Sequence, residues 1–387
     1  AIPRSINNEA TKPDHKSAEY TETVARCTGN DRFDAHPQAN DWYETIKLNY
    51  GIDYCDWGGR SNHFNPIPDT WHKMTDILLF WAAKGIDGFR CDMAEMVPHE
   101  FWKYATEKVK AQYPHIVFIG EVYDPNQYRT YIAAGFDYLY DKVGMYDCLR
   151  DVMCEHRSAN DITRQWQATD DIGKHVLYFL ENHDEQRIAS NFFCGNMQKG
   201  TPALIVAALF QCNPIMIYAG QEFGEKGMDG EGFSGIDGRS TIFDYWSIDA
   251  IRKGFFERSK LSAEQVQLEK EYRKILTLCN SEKAISKGKT FDLMYANETN
   301  DAFDSNKQFA FLRSSNNTTL LIVANFSKTE AHIRVNIPAH AFDYMEIKEG
   351  KKNMVDLLSG NHQSVVLQKD SSIEIVVPAL NGRVYKF

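Results

Sequence analysis

The sequence has no stretch fit to cross a membrane as a helix. Its most apolar segment, TPALIVAALFQCNPIMIYAG, is interrupted by Gln211, Asn213 and Pro214 and reads instead as a helix, a break and a strand. It has no basic block, and 53 acidic against 43 basic residues leave a net charge of −10. That balance argues against nucleic acid and anionic membrane surfaces as partners. No CxxC pair occurs among the eight cysteines, Cys27, Cys55, Cys91, Cys148, Cys154, Cys194, Cys212 and Cys279. Neither a zinc site nor a small disulfide framework is indicated, and several of these residues sit inside apolar runs, as buried thiols of a reduced fold do. Repeats and low-complexity runs are absent. No glycine-rich phosphate loop follows any strand pattern, which makes a nucleotide-binding sheet the weaker reading. The chain opens AIPRS, without initiator methionine or signal peptide, as expected of the middle or end of a longer product. The compartment stays open.

What is present is an ordinary globular composition, 387 residues with 43% apolar and 25% charged, enough for a large domain plus a smaller one. Residues 1–65 are polar and irregular, too long for a simple loop, and are expected to be a functional excursion. From Asp69-Thr70, which can cap a helix, Met74, Ile77, Leu78 and Trp81 recur at helical spacing. The strand IDGFRCD follows, then a helix opened by Pro98, then the strands HIVFIGE, FDYLYD, VLYFLENHD and PIMIYAGQE, with helical patterns between them. Alternating strands and helices predict a parallel sheet, and strands apolar throughout predict burial on both faces. The strands run into Asp92, Glu121, Asp141, Asp184 and Glu222. Functional residues at successive strand carboxyl ends suit a (β/α)8 TIM-type barrel, with an open doubly wound sheet as the alternative. From residue 298, QFAFLRS, TLLIVANFS, AHIRVNIP, SVVLQKD, SIEIVVPA and GRVYKF are short strands between turns, which predicts a C-terminal all-β sandwich.

Three of the strand-end acids suggest chemistry. In GFRCDMAEM, Arg90 and Asp92 stand two residues apart and would project together from a strand. The guanidinium would favour the charged carboxylate, which suits a nucleophile, although an internal ion pair would look the same. Glu121 follows the apolar run HIVFIG, a setting that suits a proton donor. His183 and Asp184 offer a donor and a third carboxylate for sugar hydroxyls and developing positive charge. Two such carboxylates can cleave a glycosidic bond.

GFRCD, IGEVY and FLENHD resemble the second, third and fourth signature regions of the α-amylase superfamily of retaining α-glycoside hydrolases, and PIMIYAGQE resembles its eighth-strand motif. The resemblance runs from about Asp41 to the C-terminal domain. It implies that residues 1–65 are the excursion between barrel strand three and helix three, residues 66–297 are barrel strands four to eight, and residues 298–387 are the β-sandwich domain. It implies Asp92 as nucleophile, Glu121 as acid/base, Asp184 as the group gripping hydroxyls of the reacting sugar with His183 beside it, and Arg90 as the residue that orients and charges Asp92. The implied substrates are α-glucans such as starch, glycogen and malto-oligosaccharides. The resemblance implies calcium as a cofactor, with an asparagine missing from this chain as a principal ligand; Asp31, Asp34 and Asp53 offer oxygen donors in the excursion, but read first as solvated loop residues that need no metal.

Two departures stand out. The family's first signature region is absent, and five strands cannot close an eight-strand barrel. The missing N-terminal part is expected in a longer product or as a separate piece. Met96 and Val97 occupy the places of a lysine-histidine pair common in α-amylases, and Glu95-Met96 replaces the asparagine-glutamate pair of the cyclodextrin- and pullulan-degrading branch. The acceptor side, where Met96 lies, thus leaves hydrolysis against transfer open, with a maltodextrin transglycosylase or glucosyl isomerase and a non-catalytic glucan-binding member as alternatives. Tyr123, Phe233, Tyr245 and Trp246 flank the motifs, and each reads as core or loop packing before it reads as a sugar-stacking face. Arg187 is expected behind the site, paired with a barrel acid.

Overall fold

A computed structural model describes residues 29–30, 41–42, 47–56, 59–230, 235–243, 245–316 and 318–387. The chain divides into two compact units, residues 1–118 with 133–136, and residues 119–132 with 137–387.

In the first unit an antiparallel ribbon, β1 (Ile52–Asp56) and β2 (Gly59–Asn62), precedes helix α1 (Asp69–Ala82). Pro68 and not Asp69 holds the N-cap position, and no side chain caps the helix. The expected apolar stripe is only partly buried: Trp71, Thr75 and Ala82 face inward, whereas Ile77, Phe80 and Trp81 are exposed. The inward face is set by Trp71, whose indole packs on Phe101 and donates from Nε1 to the Tyr50 carbonyl at 3.0 Å. Strand β3 (Gly88–Cys91) follows, then helix α2 (His99–Gln112) and the first half of β4 (Val117–Gly120). Gly88 is required where β3 meets β4, since a Cβ there would lie 2.4 Å from the Val117 carbonyl oxygen. Phe118, Phe136 and Trp102 pack edge to face beneath them.

The second unit holds the remaining parallel strands. Ile119 of β4 registers with Tyr138 of β5 (Tyr138–Tyr140), Leu139 with Val176 of β6 (Val176–Phe179), and Tyr178 with Ile215 of β7 (Ile215–Met216). The strands thus run parallel, in chain order, with helices between them. Helix α3 (Tyr128–Ala133) links β4 to β5, while α4 (Asp147–Met153) and α5 (Asp161–Ala168) link β5 to β6. Helix α6 (Gly200–Leu209) is buried on every side. It packs on β6, on helix α8 (Ala263–Ser281) and on strands of the C-terminal sheet, which explains an apolar composition without a polar face. The segment expected to be a helix, a break and a strand is that, although β7 is only two residues long.

The C-terminal part is all β except for short helices. Six strands order as β13 (His362–Leu367), β12 (Gly350–Asp356), β15 (Asn381–Lys386), β10 (Thr318–Asn325), β9 (Gln308–Ser315) and β8 (Lys289–Asp292), and β11 (Ala331–Ile337) pairs with β14 (Ser371–Val377). The strand β12 (Gly350–Asp356) was not legible in the sequence, because GKKNMVD buries only Met354 and Asp356 and shows no apolar run.

Asp141, at the end of β5, is buried, accepts a hydrogen bond from the Tyr128 hydroxyl (3.2 Å), and leaves Oδ2 without a partner among the described residues. Burial pushes its carboxyl up to about 6, against the Met145, Tyr128 and Gly144 hydrogen bonds that favour the charge. An unfolded aspartate titrates near ~3.9, so between these values the native state keeps a proton that the unfolded chain has lost. Stability contributed by the protonated group is therefore present below the lower value and lost as pH rises to the upper one, by about 3 kcal/mol. Asp141→Asn is expected to remove that loss: the urea midpoint of the variant minus that of wild type grows from pH 4 to pH 7. A difference that does not change with pH would exclude Asp141 as the group responsible.

Candidate active site

In the first unit the chain leaves β3 through a tight turn. Arg90 and Asp92 project from the same side, and Arg90 Nη1 donates to Asp92 Oδ1. The Asp92 side chain is 74% exposed, so this is a carboxylate held at a surface and not an internal pair. Met93 takes a positive φ of 42°, a costly conformation for its side chain. It turns the chain into the short 3₁₀ segment Ala94–Met96. Trp102 fixes this turn by donating from its indole to the Ala94 carbonyl at 3.0 Å. Met96 is half-buried at the end of the segment.

In the second unit Glu121 stands one residue past β4 and is only 5% exposed. The Tyr123 hydroxyl donates to its Oε1 at 3.0 Å. Burial first, then the negative charges of Glu121, Asp184 and Glu185, hold the Tyr123 phenol well above its ordinary value. Tyr123 therefore remains a hydrogen-bond donor at any working pH. His183 lies with Nε2 3.1 Å from Asp184 Oδ2.

The loop carrying His183 and Asp184 is held from below. Asn182 is buried and accepts on Oδ1 from the amides of Asp184 (3.0 Å) and Glu185 (2.8 Å). Arg187 is fully buried. It donates to Glu181 Oε2 at 2.8 Å, to Ser240 Oγ at 2.8 Å and to the Ala219 carbonyl at 2.9 Å, while Glu181 Oε1 accepts from the Ile188 amide at 2.7 Å. The acid expected to pair with Arg187 is thus Glu181, at the start of the same motif.

Several residues at the site were not found from the sequence. Glu185 is 3.2 Å from Lys142 and 4.0 Å from Arg150, and accepts from the Tyr146 hydroxyl at 3.2 Å. Lys142 also lies over the rings of Tyr146 and Tyr123. Lys142–Tyr146 is one π-helical turn leading into α4, a rare element that often marks functional sites. Its ring Tyr146 stacks on Phe179 of β6, with centroids 4.8 Å apart. The available signal was a lysine directly after a strand-end acid and a glutamate directly after Asp184.

Other expectations resolve separately. Tyr245 and Trp246 are not core residues; both are exposed, in a run where Tyr245 stacks on Phe243. Phe233, Asp31 and Asp34 lie outside the described residues. Asp53 stands on β1, and among the described residues no three His, Cys, Asp or Glu side chains gather as a metal-binding group. Among the described residues, too, no helix is long and apolar enough to cross a membrane.

Residues 66–291 match the α-amylase catalytic domain, and residues 300–387 match the α-amylase C-terminal all-beta domain. The chain is 32% identical over 92 residues to an α-1,4-glucan:maltose-1-phosphate maltosyltransferase of Cereibacter sphaeroides, a region forming 23% of this chain and 16% of that protein. It is 30% identical over 194 residues to the α-amylase MalA of Haloarcula japonica, covering 48% of this chain and 28% of that one. A solved α-amylase from Anoxybacillus is alike in fold, with a TM-score of 0.63 at 19% identity, over 85% of this chain and 65% of the other. Each match thus spans less than two thirds of the relative's own length. The catalytic-domain match takes in more than half of the chain, the strand-end acids and the loops that hold them, and the chain belongs to the α-amylase family.

Proposed function

We propose that the protein is a retaining α-glucan hydrolase that cleaves α-1,4-glucosidic bonds of starch, glycogen or malto-oligosaccharides. The observation that carries this reading is the buried Glu121 held by the Tyr123 hydroxyl at 3.0 Å. Glu121 protonates the leaving glycosidic oxygen while Asp92 attacks the anomeric carbon, giving a glycosyl-enzyme; Glu121 then takes a proton from the water that hydrolyses it. Tyr123 steadies Glu121 through both steps, because it donates to the carboxylate that forms when the proton leaves. Arg90 aims Asp92 by donating to its Oδ1. Asp184, with His183 beside it, grips hydroxyls of the sugar as positive charge develops.

A second reading within the same machinery is glycosyl transfer. It draws support from Met96 and Val97 in place of charged acceptor-side residues and from the likeness to a maltosyltransferase. A chromatogram of products from maltotriose separates the two: free maltose and glucose mark hydrolysis, and chains longer than maltotriose mark transfer.

Asp92→Asn is expected to abolish turnover of maltotriose and leave its binding, measured by calorimetry, within a few-fold of wild type. Near wild-type turnover would overturn the assignment. Glu121→Gln is expected to lower kcat on malto-oligosaccharides by about 10²–10⁴-fold. On maltosyl fluoride, whose leaving group needs no proton, it should retain much of the first step. Tyr123→Phe is expected to lower kcat with KM little changed, since it removes a hydrogen bond to the acid and none to the ground-state sugar; a rise in KM alone would make Tyr123 a sugar-binding residue instead.

A further inference from the structure

The side chains of six cysteines are described, and all six are free thiols. Two of them are not isolated. Cys154 caps the C-terminus of α4, and Cys194 lies in the loop after Arg187; their sulfurs are 3.7 Å apart. Both residues are half-buried. We propose that Cys154 and Cys194 form an oxidisable dithiol, a modification site for peroxide-class oxidants that closes to a disulfide.

The surroundings select this pair. The hydrogen bond from the Cys194 thiol, with the positive charges of His156, Arg150 and Lys199, holds the Cys154 thiol below its ordinary value, against partial burial. Cys194 is shifted the opposite way, first because it donates to Cys154 and then by burial. One partner is thus the nucleophile and the other the resolving thiol. Three other thiols offer a contrast: burial pushes Cys91 up to about 12, and Cys148 and Cys279 up to about 11.

The two sulfurs lie close enough for a small movement to join them. Cys194 sits in a compact turn, its amide bonded to the Ile188 carbonyl and the next amide, of Gly195, to the Ser190 carbonyl. Gly195 takes a positive φ of 62°, and a Cβ there would have no atom nearer than 3.8 Å. A disulfide needs its sulfurs at about 2.05 Å, so closing the pair takes a shift of under about 2 Å, shared between the turn and the end of α4.

The chemistry balances with the oxidant as the only added reagent. The Cys154 thiolate attacks one oxygen of hydrogen peroxide, breaking the O–O bond and giving a sulfenic acid and hydroxide. The Cys194 thiol then attacks that sulfur and expels water, forming the S–S bond. Two electrons pass from the two thiols to peroxide, and a dithiol reductant returns them. The inference goes beyond the catalytic reading and stands without it.

The test is oxidation of the full purified chain with hydrogen peroxide, alkylation of the remaining thiols, and mass spectrometry of peptides cut without reduction. The expected result is a linked pair of peptides carrying Cys154 and Cys194, lighter by two hydrogens. It should form before Cys91, Cys148 or Cys279 is modified, and dithiothreitol should abolish it. In Cys194→Ser, which lacks the resolving thiol, dimedone should label Cys154. Peroxide treatment of wild type that gives no linked peptide, or that oxidises Cys279 as fast as Cys154, would overturn the proposal. The wild-type experiment needs no variant, so misfolding of Cys194→Ser would not rescue or sink it.

Discussion

The second unit is organised around one buried ion pair, Glu181 with Arg187. Both side chains are out of water, at 2% and 0% exposure. Burial pushes the Glu181 carboxyl up, and the facing guanidinium opposes that push. An arrangement of this kind holds only if every arm is used, since an unpaired charge at such a depth costs several kcal/mol. Here the guanidinium reaches Glu181, Ser240 and Ala219, stacks over the ring of Tyr218, and leaves Glu181 a second oxygen for the Ile188 amide. These bonds pin both ends of residues 181–188. The residues between them, His183, Asp184 and Glu185, are carried on a loop whose ends cannot shift without breaking a desolvated pair.

Around that loop the charges are balanced and not merely accumulated. Glu185 is met by Lys142 and Arg150 and by the Tyr146 hydroxyl. Tyr123 answers Glu121. The π-helical turn at Lys142–Tyr146 places lysine and tyrosine where the charge needs them, and Phe179 of β6 gives Tyr146 a stacking surface. Core and site therefore share the same aromatic residues.

Much of this was legible in the residues. The parallel strands declare themselves by length and apolarity, and the strand-end acids by position, because a buried strand needs no side chain except apolar ones until it leaves the core. Arg90 and Asp92 could be paired from the two-residue repeat of a strand alone, and their hydrogen bond follows it. Where expectation failed, a partner distant in sequence decided. The stripe Ile77 to Trp81 has good helical spacing, yet Trp71 chooses which face of α1 turns inward by bonding to Tyr50. The strand β12 has charged outward positions and joins its sheet through neighbours on both sides.

By itself, then, the sequence determined the parallel order of the strands, the acids at their ends and the all-β C-terminal part, since each depends on local periodicity and on residues a few positions apart. Only the tertiary structure decided that Glu181 and not another acid takes Arg187. It alone decided that Tyr123 binds Glu121, that Lys142 and Arg150 neutralise Glu185, and that Cys154 meets Cys194 across 40 positions. The physical reason is range. Hydrogen bonds and ion pairs act over a few ångströms, and which groups come that close is settled by packing of whole elements, which no local pattern of residues encodes.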